Sequence, residues 1–487
     1  MSEIIQAILI GAGQRGADVY GAYALRHSDQ IQFVAVAEPN PGRRGRFAAQ
    51  HGIPPENQFE TWEHLLDRPT MGQAALVCTQ DQQHTAPALS ALRAGYDVLL
   101  EKPMAPTANE CRQLVATAEA TGRQLHICHV LRFTPHFEKM REIIQSGILG
   151  QIVNVSHREN VSWWHMAHSF VRGNWRNRAE SAPMILAKCC HDLDILIWLL
   201  DSRCEHLSSV GGLLHYRPEN APDGAPQYCL DGCPAADTCP YYAPFIYVDL
   251  LPLWRGFAET AKGFPRCAAK TQQRAPGLVK ALSAAIPSLR QMSDYKEWPV
   301  SVVASDPTRE NLLAALKDGP YGRCVYRCDN DVVDHQVVAM QFESGVSVTL
   351  SMHGHSHLEG RTTRIEGSHA TLQAHFGHGG SWIEVDKHHS DRRTRYDTSA
   401  LNKSGHGGGD ERLMDSFVQA LWKEGAPSGA THFRSASHLT SHLTTARQSL
   451  ESHLMAFAAD EARVEGKVVR MSEWRVASSG WRMADGE

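Results

Sequence analysis

The stretch Ile8-Leu9-Ile10-Gly11-Ala12-Gly13-Gln14-Arg15-Gly16, near the start of the chain, decides the fold. The apolar run over residues 4–10 predicts a buried strand, and three glycines with the spacing GxGxxG follow it at once. The first glycine permits a tight turn, the second lets the backbone approach a pyrophosphate, and the third allows close contact between strand and helix. The helix that follows offers unpaired N–H groups to the phosphates. The stretch therefore predicts a dinucleotide-binding turn between a strand and a helix.

An acidic residue at the end of the second predicted strand indicates which dinucleotide is bound. Glu38 follows the strand Ile31–Ala37 and lies 22 residues after Gly16, where a carboxylate can bind the ribose hydroxyls. A carboxylate repels the 2′-phosphate of NADP, so Glu38 favours NAD. Arg43 and Arg44 come soon afterwards and are the feature that favours NADP instead. We interpret both as solvated helix residues, and we expect NAD.

The rest of the first 128 residues alternates strand and helix patterns. Further apolar runs at residues 74–79, 97–100 and 125–128 predict strands, and residues 110–121 predict one of the helices between them. Buried strands that alternate with helices form a parallel sheet with right-handed crossovers. Residues 1–128 are therefore predicted to be an α/β Rossmann domain.

Residues 129–487 have a different pattern, which predicts a second domain for substrate binding and oligomerisation. An insertion at about 215–320 is rich in Pro, Cys and Trp, and we expect little regular structure there. The expected fold of the second domain is α+β, with a large, open, mostly antiparallel sheet. Helices are predicted at 137–146, 183–200 and 435–462, and strands at 151–159, 336–342, 346–352, 361–366 and 381–385.

Composition limits the classes of function. The chain has 487 residues, of which 42% are hydrophobic and 21% charged, and its formal net charge is −5. These values give no reason to expect nucleic acid or a membrane as a partner. The longest strongly apolar run, residues 195–200, is too short to span a bilayer. The first residues resemble no signal peptide, and twelve cysteines then indicate thiols or metal ligands in a reducing compartment, so we expect a cytoplasmic protein.

A lysine follows the fourth predicted strand, in the run Leu99-Leu100-Glu101-Lys102-Pro103. Ligands of open α/β sheets gather at the carboxyl ends of the strands. A lysine that is partly desolvated there is suited to proton transfer. By spacing alone, an ordinary surface lysine is an equally good interpretation.

Four motifs in order resemble the Gfo/Idh/MocA oxidoreductase family: the glycine turn, Thr79 with His84, Glu101-Lys102-Pro103, and His191-Asp192-Leu193-Asp194. The resemblance covers the first domain closely and the second in outline. It implies an NAD-dependent enzyme that acts on a sugar, polyol or glycoside. It also implies a homodimer or homotetramer, paired through the open face of the second sheet. The motifs that extend it into the second domain are Arg132-Phe133, Gly147 with Gly150, Trp175-Arg176 and the terminal helix.

The resemblance assigns Lys102 as the acid–base lysine and His191 as the second polar residue of the active site. In the family an aspartate precedes this histidine by four residues, but Ala187 stands there in this chain. Lys188 and His191 are three residues apart and share one face of a helix. Lys188 is therefore a third catalytic candidate, which replaces the missing group or keeps Lys102 neutral by repulsion. The alternative is a Lys188 side chain turned away from the site.

Two further sets of residues complete the candidate site. The cofactor candidates are Gly11, Ala12, Gly13, Gln14, Arg15, Gly16, Glu38, Thr79, Gln80, Asp81, His84, Glu101 and Lys102. The substrate candidates are Arg132, His165, His168, Arg172, Trp175, Arg176, Asn330 and His335.

Three functions compete. The first is hydride transfer between nicotinamide and a carbinol carbon, with Lys102 taking the hydroxyl proton. The alternative is a redox glycosidase, in which transient oxidation at C3 acidifies the C2 proton, the aglycone is eliminated, water adds and the hydride returns. The third is a nucleotide-binding sensor without catalysis, of which the loss of Lys102 would be the sign.

The cysteines and one histidine tract leave a metal site open as an alternative, and we assign no metal ligand. Cys229, Cys233 and Cys239 are dense for a loop and fit zinc or an iron–sulfur cluster as well as free thiols. His353, His355 and His357 would share one face of a strand, where we favour surface histidines or a pocket wall. A fourth thiol ligand would come from Cys267, Cys324 or Cys328.

Overall fold

Two β-sheets, one after the other along the chain, organise the structure, which is a computed structural model that describes residues 4–399, 405–425 and 443–477. The first sheet has six strands in the order β3-β2-β1-β4-β5-β6, and every neighbouring pair is parallel. The predicted α/β Rossmann architecture is confirmed. The strands are β1 Ile5–Ile10, β2 Ile31–Ala37, β3 Gln58–Phe59, β4 Ala74–Val77, β5 Asp97–Leu100 and β6 Leu125–Ile127.

Helices cover both faces of this sheet, which explains why β4 and β5 are buried along their whole length. Local signals set the helix ends. Asn40 and Thr107 accept backbone N–H groups at two N-termini, and Gly52 and Gly122 end the same two helices with φ of 66°. The helices are α1 Ala22–Arg26, α2 Pro41–His51, α3 Trp62–Leu66, α4 Thr85–Arg93 and α5 Ala108–Thr121.

The second sheet has nine strands in the order β14-β13-β12-β11-β7-β10-β9-β8-β15, and β7 with β10 is its parallel pair. The other neighbouring pairs are antiparallel, so the prediction of a mostly antiparallel sheet is confirmed. The strands are β7 Ile152–Ser162, β8 Cys204–Gly212, β9 His335–Phe342, β10 Ser347–Ser356, β11 Gly360–Gly367, β12 Ala370–Gly377, β13 Trp382–Lys387, β14 Arg393–Asp397 and β15 Val469–Arg470.

One face of the second sheet packs against a central helix, α8 Met184–Leu200, which is buried on nearly every side. A helix that is apolar all round belongs in the interior. The long helix α17 Ala446–Glu465 packs against α8 and starts at a capping box made by Thr445 and Gln448. Residues 435–442 of the predicted last helix lie outside the described residues. The remaining helices outside the insertion are α6 Pro135–Gln145, α7 Trp163–His165, α16 Gly409–Gly425 and α18 Met471–Ala477.

The insertion contains more regular structure than the sequence predicted, and that expectation was wrong. Its first part, up to residue 242, is mostly irregular, but short helices follow. Five of them have proline in the first turn, where its missing N–H costs nothing. The prolines therefore start helices here, in a segment for which little regular structure was expected. The helices are α9 Ala243–Tyr247, α10 Leu251–Thr260, α11 Phe264–Arg274, α12 Pro276–Leu282, α13 Pro287–Ser293, α14 Val300–Val303 and α15 Arg309–Asp318.

Helix α16, which follows the last hairpin strands of the second sheet, packs against the first sheet. Leu413, Met414 and Phe417 of α16 share one core cluster with Leu9 of β1 and Val36 of β2. A division of the chain at residue 128 therefore omits α16 from the packing of the first sheet. In the part of the chain that the structure describes, no helix is both long and apolar enough to cross a membrane.

Candidate active site

In the glycine turn after β1, Gly11 and Gly16 are crowded by backbone atoms, whereas Gly13 has free space beside it. Gly11 has φ of +94°, and a Cβ there would lie 2.6 Å from the Cys78 carbonyl oxygen. A Cβ on Gly16 would lie 2.1 Å from the Gly11 carbonyl oxygen, whereas a Cβ on Gly13 would meet nothing within 4 Å. The backbone at Gly13 therefore has free space above it, which is the arrangement that a pyrophosphate requires.

Glu38 is fixed at the end of β2 by several donors and is 3% exposed. Its carboxylate accepts the backbone N–H groups of Ala12 and Asn40, each at 2.9 Å. Nη2 of Arg43 also donates to Glu38, at 2.9 Å, and Arg44 donates to the Glu38 carbonyl oxygen. Both arginines were expected to be solvated; Arg43 is exposed and Arg44 half-buried, and both also bind Glu38. The carboxylate thereby offsets the positive charge that would favour a 2′-phosphate.

Arg15 turns away from the open side of the glycine turn. Its Nε lies 2.6 Å from the Glu101 carboxylate, and its Nη2 lies 2.8 Å from Asp410 of α16. Burial raises the pKa of Glu101, but Arg15 and a hydrogen bond from Tyr20 more than offset this and lower that pKa. Arg15 therefore joins the turn to the end of β5, whereas the sequence had placed it among the cofactor ligands.

The loops after β4 and β5 are joined by His84. Its Nδ1 lies 2.6 Å from the Pro103 carbonyl oxygen, and its Nε2 lies 3.1 Å from the Thr79 carbonyl oxygen. Thr79 and Gln80 stand beside this junction, and Gln80 is exposed. His84 therefore positions the carboxyl ends of both strands, where Lys102 follows Glu101.

Lys102 reaches from the first sheet to the helix α8 of the second part of the chain. Its Nζ donates to the Ala187 carbonyl oxygen at 3.2 Å, one turn before His191. His191 is 7% exposed, and its buried Nδ1 has no hydrogen-bond partner among the described residues. Burial, followed by the charge of Lys102, lowers the pKa of His191 well below its ordinary value. A neutral imidazole with an unpaired nitrogen therefore lies near the lysine, which is a suitable partner for a substrate hydroxyl.

Asp194 anchors α8 rather than facing the lysine. Its two carboxylate oxygens accept Nε and Nη2 of Arg132, each at 2.6 Å, and both side chains are buried. Such a bidentate pair is rigid. Arg132 was predicted to bind substrate, but its guanidinium is occupied by this pair.

Lys188 lies in a network of buried charges that the sequence did not reveal. Its Nζ is 2.9 Å from Glu359 and 3.4 Å from Glu159. Burial raises the pKa of Glu159 to about 7, although Arg361, at 2.9 Å, and Lys188 act in the opposite sense. Because Lys188 is neutralised by two carboxylates, it is poorly placed to repel a proton from Lys102. The missed signal was charge on the buried face of β7, which Glu159 shares with Val155, His157 and Val161.

Two of the substrate candidates bridge the loop after β4 and the residue before β11. His165 Nδ1 lies 2.9 Å from Glu359, and Trp175 Nε1 donates to Asp81 of the first sheet at 2.9 Å. The ring of Phe170 contacts both His165 and Trp175. Trp175 remains 36% exposed. These contacts therefore link the loop after β4 to Glu359, the residue before β11.

The other substrate candidates hold the insertion in place. His168 is buried between Trp298 and Tyr321, and Arg172 donates to the carbonyl oxygens of Arg323 and Tyr241. Nδ1 of His168 lies 3.1 Å from the Tyr247 hydroxyl, whereas Nη1 of Arg172 is buried without a hydrogen-bond partner among the described residues. The remaining three pair as follows: Arg176 with Asp329, Asn330 with the Tyr216 carbonyl oxygen, and His335 with Asp334.

The cysteines of the insertion are free thiols. Cys229, Cys233, Cys239 and Cys324 line one small cavity beside Arg172. Among the described residues, no group of three or more His, Cys, Asp or Glu side chains is placed to hold a metal ion. In the histidine tract, His353, His355 and His357 pair separately with Asn160, Asp334 and Glu259.

Two family models match the chain in succession. The model of the GFO/IDH/MocA oxidoreductase family, NAD-binding Rossmann fold, matches residues 5–129. The GFO/IDH/MocA C-terminal domain matches residues 137–227. Together they confirm the resemblance and the predicted NAD-binding Rossmann domain.

Curated relatives that match the chain do so either at low sequence identity or over only part of its length. The oxidoreductase YteT of Bacillus subtilis is 22% identical over 80% of this chain and 83% of its own length. Trans-1,2-dihydrobenzene-1,2-diol dehydrogenase of Bos taurus is 32% identical over 33% of this chain and 47% of its own length, so this chain spans about half of that relative. The 2,7-anhydro-N-acetylneuraminate hydratase of Mediterraneibacter gnavus is 23% identical over 43% of this chain and 53% of its own length.

Solved structures share the fold along nearly the whole chain. An oxidoreductase from Agrobacterium radiobacter, in complex with NAD+, L-tartaric acid and magnesium, has a TM-score of 0.59 at 13% identity and covers 97% of this chain and 99% of its own. Aldose-aldose oxidoreductase from Caulobacter crescentus, complexed with glycerol, has a TM-score of 0.59 at 14% identity over 96% of this chain and 100% of its own. At this identity the likeness concerns the fold alone.

Proposed function

Since the chain belongs to the GFO/IDH/MocA family of oxidoreductases, we propose that it transfers a hydride between NAD and a hydroxyl-bearing carbon of a sugar, polyol or glycoside. The observation that carries this proposal is the contact between the two parts of the chain at Lys102. Its Nζ reaches the Ala187 carbonyl oxygen of α8, one turn before the unpaired imidazole of His191. An acid–base lysine and a neutral histidine thus meet where the first sheet ends.

The residues present fit NAD. The open space above Gly13 would receive the pyrophosphate, and the N–H groups of the helix that begins at Gln14 would bind its phosphates. Glu38, held by Ala12 and Asn40, stands where the adenosine ribose hydroxyls are bound. Bound NAD+ supplies the hydride acceptor, and the protein supplies position and charge.

Lys102 and His191 divide the work on the substrate hydroxyl. Lys102, as the free amine, accepts the hydroxyl proton while the carbinol carbon is oxidised, and it returns that proton in the reverse direction. His191 is neutral because burial lowers its pKa, and Lys102 lowers it further once that lysine has taken the proton and is charged. It therefore orients the hydroxyl by a hydrogen bond and adds no charge next to the lysine.

The side chains of Trp175, His165 and Glu359 suit a carbohydrate. Trp175 offers an exposed aromatic ring, and His165 with Glu359 offers polar groups that are about one-fifth exposed. Sugars combine C–H faces with hydroxyl groups, so such a mixed wall matches them. The name of the trans-1,2-dihydrobenzene-1,2-diol dehydrogenase relative supports oxidation at a hydroxyl-bearing carbon.

A paired assay tests the proposed function. NAD+ is added to a panel of free sugars and p-nitrophenyl glycosides, and NADH and released p-nitrophenol are followed in the same samples. We expect NADH to accumulate with a matching substrate and to disappear in Lys102→Ala. If Lys102→Ala retains the wild-type rate, the assignment of the lysine is wrong.

The redox glycosidase is a second candidate, and one observation favours it. The site contains a further cluster of polar side chains, His165, Glu359 and Lys188, which hydride transfer alone does not require. The name of the hydratase relative denotes a reaction beyond hydride transfer. In the paired assay this function gives p-nitrophenol only when NAD+ is present, without net NADH.

We also propose that two or more copies pair through the open face of the second sheet. Val210 of β8 lies opposite Val337 of β9, and they are 69% and 38% exposed on this face. We further propose that the protein works in the cytoplasm, where thiols stay reduced, because its twelve cysteines are free in the structure. Light scattering on the purified chain, with Val337→Arg as the variant that disrupts pairing, measures the oligomeric state.

A further inference from the structure

A histidine–carboxylate pair lies in the wall of the candidate site and has no part in hydride transfer. Nδ1 of His165 lies 2.9 Å from both carboxylate oxygens of Glu359. A carboxylate at Nδ1 fixes the neutral ring in the tautomer that carries its proton there, which leaves a lone pair on Nε2. Among the described residues, no hydrogen bond reaches Nε2. This is the arrangement of an oriented general base.

The pair is connected to Lys102 by a short chain of contacts. Glu359 accepts Nζ of Lys188 at 2.9 Å, and Lys188 follows Ala187, whose carbonyl oxygen accepts Nζ of Lys102. The side chains of His165 and Glu359 are 21% and 23% exposed, so both are accessible from solvent. Glu159, in contrast, is completely buried behind Lys188. His165 is therefore connected to Lys102 through Glu359, Lys188 and the backbone of Ala187.

The groups around His165 keep its imidazole neutral before it accepts a proton. Burial lowers the pKa of His165, Glu359 raises it, and Lys188 and His378 lower it further. The rings of Trp164, Phe170 and Trp298 surround the imidazole. Glu359 is kept ionised by His165 and Lys188, so its negative charge stabilises the imidazolium when a proton arrives.

We propose that His165 is a second catalytic acid–base residue, which removes a proton from the carbon next to the carbonyl that oxidation of the substrate creates. This inference rests on the proposed function. The C–H electron pair becomes the double bond of an enolate, the carbonyl oxygen takes the negative charge beside the Lys102 ammonium, and Nε2 takes the proton. The reverse step returns a proton to carbon. The substrate class is a keto-sugar, or a glycoside whose leaving group stands one carbon beyond that proton.

The test uses methyl β-D-ribo-hexopyranosid-3-ulose in D2O with the complete chain and no cofactor. Deuterium that enters at C2 or C4 is measured by NMR, against a sample without protein. We expect the wild type to accelerate exchange and His165→Asn to lose it by about 100-fold or more, the usual worth of a general base. Glu359→Gln should slow exchange and shift its pH profile, which a merely structural contact would not do.

Two controls keep the outcomes distinct. His357→Asn breaks a surface pair of the same kind, 2.9 Å from Glu259, and should exchange at the wild-type rate. The wild type and His357→Asn should also reduce the same ketone with NADH, which tests the proposed function separately. Reduction without exchange in the wild type, or full exchange in His165→Asn, overturns this proposal and leaves the proposed function standing. If the wild type neither reduces nor exchanges this ketone or other keto-sugars, both proposals fail.

Discussion

Two glycines of the phosphate turn have opposite surroundings, which gives a matched pair of substitutions. In Gly16→Ala the new Cβ would lie 2.1 Å from the Gly11 carbonyl oxygen, whereas in Gly13→Ala it enters free space. We expect Gly16→Ala to lower the free energy of unfolding, because backbone must move. Gly13→Ala should leave that free energy within about 0.5 kcal/mol and weaken NADH binding, because its methyl group takes the place of the pyrophosphate. Urea unfolding and NADH fluorescence measure the two effects; equal behaviour of the variants would contradict this account.

The choice between NAD and NADP depends on Glu38. Its carboxylate occupies Arg43 and repels a 2′-phosphate. Glu38→Ser removes the repulsion and frees Arg43, so the ratio of the NADPH and NADH dissociation constants should fall by about tenfold or more, as one charged contact of about 1.4 kcal/mol implies. Arg43→Ala added to Glu38→Ser should reverse part of the gain. An unchanged ratio in Glu38→Ser would show that the carboxylate does not select the cofactor.

The helix α8 is held by a buried ion pair that lies one turn from His191. Arg132→Met leaves Asp194 buried without its partner, which costs roughly 3–5 kcal/mol of unfolding free energy. The double variant Arg132→Met with Asp194→Leu should be less destabilised than the sum of the two single variants, because no lone charge remains. Denaturant unfolding of the three variants measures this coupling. Additive effects would mean that the pair does not act as a unit.

The elements were predictable where one local signal decides them. The phosphate turn, the parallel strands and the apolar helix α8 follow from glycine spacing and from runs of buried residues. The helices of the insertion were missed because proline starts a helix as well as it breaks one, and sequence spacing alone does not separate the two effects. α8 began one residue later than predicted, because Pro183 precedes its first turn.

The site was only partly predictable, because its polar groups come from distant segments. Lys102 and His191 were found from short motifs at the ends of elements. Glu359 and Arg361 were missed, because only the pairing of β11 with β7 brings them to Lys188 and Glu159. Arg132 was assigned to substrate for the same reason: its partner Asp194 is 62 residues away. Contacts of this kind depend on tertiary structure and leave no periodic pattern.

Buried histidines make the stability of the whole molecule depend on pH. Burial lowers the pKa of His129 to about 4 and those of His136, His168 and His453 to about 3. The unfolded chain takes up these protons near pH 6.5, but the folded chain does not, so stability is lost as pH falls from about 6.5 towards 4. The pKa of Glu159 is raised to about 7, so this one group makes the folded state more stable as pH falls, against the four histidines that make it less stable.

The urea midpoint should therefore be lower at pH 5 than at pH 7.5. His168→Phe removes one of the four imidazoles and should reduce the dependence by up to about 1.4 kcal/mol per pH unit. A midpoint that stays constant or rises on acidification would contradict the assignment of neutral, buried histidines.

The most direct test of the central claim is whether hydrogen moves from a sugar carbon to the cofactor. The chain is incubated with NAD+ and a panel of sugars, polyols and glycosides in which every C–H is replaced by C–D, and the nicotinamide is analysed by mass spectrometry. Net oxidation leaves the deuterium on the cofactor, and a rapid alkaline quench during turnover traps the labelled reduced cofactor of a transient transfer. The account predicts that at least one compound places deuterium at C4 of the nicotinamide, and that Lys102→Ala abolishes the transfer. Stoichiometric binding of NADH without deuterium transfer from any member of the panel would contradict it.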